Sequence, residues 1–167
     1  MGTAEHKQNP PAALSIGILT VSTTRTLETD ASGQWIKQFA KKEGHVIAVH
    51  RVIPDDSGVI AATVQDITAV LSPQVLILTG GTGISPKDLT IEAVRPCFQK
   101  ELTAFGPIFA QLSYEEIDSA ALLSRATAGI IGHTVVFCIP GSLGACKLAC
   151  KALIFPELAH LVRHMGE

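Results

Sequence analysis

The sequence predicts a three-layer α/β/α fold around a mainly parallel sheet. Three observations carry that reading. SIGILTVS (15–22) is apolar without alternation, the pattern of a strand covered on both faces. Strand-length and helix-length segments then alternate along the chain. A length of 167 residues is enough for one domain to bury roughly 70% of its extended-chain surface.

The elements follow in order. After the first strand, the polar stretch 23–33 reads as a loop and QWIKQFAKKEG (34–44) as a helix. Ile36, Phe39, Ala40 and Glu43 fall at helical spacing, and Gly44 is a natural C-cap. HVIAVHRVI (45–53) is the second strand, stopped by Pro54. Residues 55–71 form the second helix, capped by Asp56 or Ser57. QVLILT (74–79) is the third strand and runs into a loop with three glycines in four positions. Thr90 is expected to cap a helix over 91–101 that Pro96 interrupts. Helices follow over 105–117 and 119–126. TAGIIG and HTVVFCIP make two short strands with a turn at Gly132–His133, and residues 142–162 make a closing helix broken at Pro156.

Composition excludes several classes. A formal charge of −2 and no long run of Lys or Arg give no general attraction to nucleic acid or to anionic lipid. No stretch approaches eighteen apolar residues, so no membrane-spanning helix is expected. Residues 1–13 hold two prolines and no signal-like apolar segment; they read as a disordered lead to a single domain over 14–167. A cytoplasmic location follows. The four cysteines lack CxxC spacing, which points to reduced buried thiols.

In an open parallel sheet, ligands bind beyond the carboxyl ends of the strands. Four loops leave strands at that edge. The first carries Ser22, Thr23, Arg25, Asp30, Ser32 and Gly33; the second carries Asp55 and Asp56. The third carries Thr79, Gly80, Gly81, Thr82, Gly83, Ser85, Lys87 and Asp88, and the last carries Pro140, Gly141, Ser142 and Gly144. Free of Cβ atoms, the glycine-loop amides can turn toward an anion, and a helix starting near Thr90 adds its positive end. The loop lacks the Gly-Lys-Ser/Thr ending of a nucleotide P-loop and does not match GxGxxG. A tight strand-to-helix turn needs glycine on its own account, so Asp88 matters. An acid behind an anion-binding loop repels phosphate unless a cation lies between them, and Mg²⁺ takes one or two carboxylates plus phosphate oxygens. Asp88 with Asp55 or Asp30 supplies such a set; helix capping and turn formation are the competing uses of these acids. Arg125, after Ser124, grips a phosphate or forms a surface ion pair. His160 and His164 share one helix face, which reads as solvated. No nucleophile–base arrangement for covalent catalysis stands out.

The segment LILTGGTGISPKDLTIEA, with GILTVSTTR and then DASG before it and LSRATAGIIGHTVVFCIPGS after it, is familiar. Over residues 14 to 160 the chain resembles the MoaB/Mog family of molybdenum cofactor biosynthesis proteins, a domain also found in gephyrin. TVSTTR looks closer to the MoaB branch. The resemblance implies an adenylyltransferase joining molybdopterin to the AMP part of ATP with Mg²⁺, both compounds being substrates. On that likeness Gly80, Gly81, Thr82 and Gly83 would hold phosphates, and Asp88 would be the essential acid as metal ligand or in handling the reacting phosphate. Asp55 would match an acid tied to the pterin substrate and catalysis. Pro140, Gly141 and Ser142 would line the nucleotide pocket, with Ser124 and Arg125 at its rim. Homotrimers, or hexamers of two trimers, are implied as well. Two departures stand out: Thr23 replaces an acid of the Mog branch, and Ile91 replaces a helix-opening proline. Thr23 leaves open a non-catalytic molybdopterin carrier or assembly subunit.

Overall fold

The computed structural model describes residues 12–167. Most of the expected disordered lead, residues 1–11, lies outside the described residues. The strands are β1 (Ser15–Val21), β2 (Val46–Ile53), β3 (Val75–Thr79), β4 (Lys100–Glu101), β5 (Thr127–Ile131) and β6 (Thr134–Ile139). They form one six-stranded sheet in the order β2-β1-β3-β6-β5-β4. The four strands β2, β1, β3 and β6 are parallel, whereas β5 runs antiparallel to both of its neighbours. The α/β fold predicted from the sequence is thus the fold observed.

Alternation along the inner strands sends side chains to two separate cores. Val75 and Ile77 of β3 face one side with Ile16 and Ile18, while Leu76 and Leu78 face the other with Leu19 and Val21. The first side is sealed by α1 (Ala31–Lys42), α4 (Phe105–Ile117), α5 (Leu143–Ala149) and α6 (Phe155–Met165), through Ile36, Phe109, Cys146 and Leu158. The second is sealed by α2 (Ser57–Asp66) and α3 (Thr90–Val94), through Ile60, Val64, Ile91 and Val94. Each fully buried aliphatic side chain contributes about 1.5–3 kcal/mol, so two covered faces account for the uninterrupted apolar strands.

Several boundaries differ from the sequence reading, each for a local reason. α1 starts at Ala31 because the Asp30 carboxylate caps it, accepting from the Gly33 amide at 3.0 Å. Asp56 caps α2 as expected, but the helix widens to a π turn over Ile67–Leu71. The helix expected over 91–101 lasts only through Val94. A 3₁₀ turn containing Pro96 follows, and Lys100–Glu101 then pair with β5 as a strand. Residues 118–123 are 3₁₀ rather than α. The closing helix does not break at Pro156. A π turn over Cys150–Ile154 shifts the bonding to i→i−5 just before the proline, and α6 continues from it.

Candidate functional site

Register decides where the loops meet. Thr20 lies beside Thr79, and Thr79 beside Ile139, so β1, β3 and β6 end level and release their loops side by side. Between those loops is a cleft of about 390 Å³. Ser22, Thr23 and Arg25 wall it after β1, and Asp55 after β2. Gly80 through Gly83 and Asp88 wall it after β3, and Pro140 and Gly141 after β6.

The glycine loop is shaped by close backbone approach. Gly80 (φ +98°) and Gly81 (φ +68°) both occupy the left-handed region. A Cβ on Gly80 would collide with the Val21 carbonyl, and one on Gly81 with the Thr90 hydroxyl. The Gly80 amide is already spent on the Ile139 carbonyl at 3.0 Å, which leaves the amides of Gly81, Thr82 and Gly83 for a ligand. α3, at five residues, is too short to add the strong positive helix end expected from the sequence.

The two candidate acids are held alike. Asp55 Oδ2 accepts from the Thr23 amide at 3.0 Å, and Asp88 Oδ2 accepts from the Ser85 amide at 2.9 Å. Each carboxylate is half-buried, and its Oδ1 keeps lone pairs for a ligand. Asp30, the other acid considered for metal, is instead fully buried as the cap of α1. Burial pushes its carboxyl upward, but hydrogen bonds from His50, Thr20 and the Gly33 amide outweigh that and hold it below the usual range.

Other predicted site residues serve as supports. The hydroxyl of Thr79 donates to the Pro140 carbonyl at 3.0 Å, beside the Cys146 thiol. Thr90 is the first helical residue rather than the cap; it is buried, and its hydroxyl donates to the Gly80 carbonyl at 2.8 Å. Ser22 Oγ accepts from the amides of Thr24 and Arg25, fixing the turn after β1. Ser85 Oγ accepts from the Lys87 amide, and Ser142 caps α5 through the Ala145 amide. Arg125 donates through Nε to the Thr82 carbonyl at 2.9 Å and through Nη2 to Glu92 at 2.6 Å, so it ties the glycine loop to α3. Burial pushes the Glu92 carboxyl up, but the bond and charge of Arg125 hold it below its usual range. Ser124 and Ser142 line a smaller adjoining cavity of about 270 Å³ with Ile117 and Leu148.

Sequence reasoning did not anticipate three contributions. Leu123 joins the cleft wall from the 3₁₀ segment. The Gly141 carbonyl is gripped by both Ser32 Oγ (2.8 Å) and Arg25 Nη1 (3.1 Å). Neither contact, more than a hundred residues apart in the chain, leaves a local signal in sequence.

Fold and cleft together define a class: an open α/β protein with a glycine loop and two carboxylates lining one cleft at the carboxyl edge of parallel strands. The chain belongs to the family described as probable molybdopterin binding domain, whose profile matches residues 17–160. It is 48% identical over 166 residues to Molybdenum cofactor biosynthesis protein B of Bacillus subtilis (strain 168), covering 99% of this chain and 98% of that one. A crystal structure of Molybdenum cofactor biosynthesis protein B superposes with a TM-score of 0.90 at 42% identity, over 93% of this chain and 98% of the other. The tungsten cofactor synthesizing protein MoaB of Pyrococcus furiosus gives 0.81 at 37% identity, over 94% and 99%. The MoaB/Mog resemblance read from the motifs is therefore a family membership.

Proposed function

We propose that this protein acts in molybdenum cofactor biosynthesis as a molybdopterin adenylyltransferase. The carrying observation is that Asp55 and Asp88 line one cleft together with the Gly80–Gly83 loop. Family membership and the names of the relatives support the pathway and the pterin ligand.

The reaction joins two anions. A terminal phosphate oxygen of molybdopterin attacks the α-phosphorus of ATP; that P–O bond forms as the α–β bridging bond breaks, and pyrophosphate leaves with the electron pair. Such chemistry needs positioning and charge neutralisation more than a protein nucleophile. The amides of Gly81, Thr82 and Gly83 hold phosphate oxygens, and the Arg25 guanidinium at the cleft wall offsets their charge. Arg125 fixes the loop through the Thr82 carbonyl, and Ser32 and Arg25 fix Gly141. The donor set suits Mg²⁺: two carboxylates, each with a spare oxygen, and no cage of three His, Cys, Asp or Glu among the described residues. Asp55 and Asp88 would hold the ion, which when bound supplies neutralisation of phosphate charge.

Self-association as a trimer or hexamer belongs to the same proposal. It is supported by an apolar group at the surface: Tyr114, Ile117, Leu122 (86% exposed) and Leu123. No helix among the described residues is long and apolar enough to cross a membrane.

The test is adenylylated pterin and pyrophosphate formation by purified protein with molybdopterin, ATP and Mg²⁺. Turnover that disappears with a chelator supports the enzyme. Pterin binding without turnover favours the second reading, a non-catalytic carrier, for which Thr23 in place of an acid is the supporting feature.

A further inference from the structure

The two edges of the sheet are unlike. β4 closes one with two residues, one of them Lys100. β2 closes the other with eight, and neither a proline nor a lysine lies within them. Short length, lysine and proline are the usual guards of an edge strand, so β2 lacks the protection that β4 has. The pairing of β2 with β1 slips once, at Ala48, and is regular from Val49 to Ile53. The Ser22 amide donates to the Ile53 carbonyl at 2.8 Å, which turns the backbone groups of Ile53, and by alternation those of Arg51 and Val49, toward β1. The N–H and C=O of His50 and Val52 therefore face outward.

Two grooves run along that outer edge. One of about 620 Å³ lies beside residues 46–49, the other of about 520 Å³ beside residues 51–54, and His50 lines both. Lys37 and Lys41 of α1 wall the first groove, and Arg25 and Arg51 wall the second. No carboxylate lines either one. In a chain of net charge −2, this edge is a strip of a single, opposite sign. We propose that the β2 edge is a docking site for an extended acidic segment of a partner protein, which adds to the sheet as a further strand. The outward groups of His50 and Val52 supply the main-chain bonds, and the four cations select acidic side chains. A second copy of this chain is the poorer occupant, because its own β2 edge would set the same cations opposite themselves. Docking here needs no turnover in the cleft, so it stands apart from adenylyl transfer.

The experiment follows fluorescence anisotropy of a labelled peptide alternating glutamate and valine, about seven residues long, against the full chain. The parent should bind it, should ignore the matching lysine–valine peptide, and should weaken as salt rises from about 0.05 M to about 0.5 M. Lys37→Glu/Lys41→Glu should weaken binding at least about tenfold with an unchanged circular dichroism spectrum. Val52→Pro removes one outward N–H and no bond to β1, so it should abolish binding while the fold persists. If that variant does not fold, the lysine pair decides alone. No binding by the parent, equal binding of the lysine–valine peptide, or undiminished binding by the folded variants overturns the site. A fall in the parent's solution mass on Val52→Pro, read by light scattering, would give the edge to a second copy and overturn it as well.

Discussion

Asp30 and His50 meet inside the protein, Oδ2 to Nε2 at 2.9 Å, with side chains 0% and 5% exposed. Asp30 also receives the Thr20 hydroxyl at 2.6 Å and the Gly33 amide. One carboxylate thus joins β1, β2 and the start of α1, and Ser32 of that same helix turn grips Gly141 of the cleft wall.

Removing that carboxylate should cost a helix cap and strand buried donors. Asp30→Ala is expected to lower unfolding free energy by about 2–4 kcal/mol in urea at pH 7. The acid dependence has a defined sign. Because folding depresses this carboxyl below its ordinary 3.8, its contribution is complete above that value and is lost as pH falls through the folded value. A loss below about 0.5 kcal/mol would remove Asp30 from the framework.

His45 titrates in a higher window. Burial holds it below its ordinary 6.5, partly opposed by Glu43, and its Nδ1 accepts from the Leu14 amide at 3.2 Å. The unfolded chain therefore binds this proton first. Stability from this site is present above about pH 6.5 and declines as pH drops below it. The difference in stability between the parent and His45→Gln should narrow between pH 7 and 5; a constant difference would contradict the assignment.

Catalysis should depend on Asp88 without the fold doing so. Asp88→Asn keeps an acceptor for the Ser85 amide, yet it is expected to reduce adenylyl transfer on the order of 10²-fold or more. Unimpaired turnover in a variant with parental melting behaviour would end the proposed role.

Gly80→Ala combines an unfavourable φ with a collision against the Val21 carbonyl. It should destabilise the protein by about 1–3 kcal/mol or more and weaken nucleotide binding. Chemical denaturation and ATP calorimetry read the two effects separately. Parental values in both would mean that the loop tolerates a different backbone path.

Leu122→Asp places a charge in the exposed apolar group around Tyr114 and Ile117. Light scattering should show a trimer or hexamer for the parent and a smaller species for the variant. An unchanged mass would locate the interface elsewhere.

Much of this molecule was legible in advance, and the reasons are physical. The inner strands were readable because full coverage on two faces demands unbroken apolar runs, as in β3. The cleft was readable because parallel strands deliver their loops to one edge, which set Asp55 and Asp88 in one cleft with the glycine loop. β4 was hidden because its two residues gain their pairing only from β5, almost thirty positions later. The functions of Arg125, Thr90 and Asp30 were hidden for a related reason. Each makes bonds to partners distant in sequence, and a polar residue near a loop looks the same whether it touches ligand or backbone. Pro156 misled because the preceding π turn, which accommodates it, has no compositional mark.

The sheet divides its interior into two rooms with no shared furniture. Ile77 and Phe137 belong to one, Leu76 and Val136 to the other. Substitutions on opposite sides should therefore add nearly independently, whereas neighbours within one room couple. Repacking beneath α2 and α3 should therefore leave the packing beneath α1, α4, α5 and α6 largely unchanged. The carboxyl edge, lined by loops that follow several strands, is where the two sides meet.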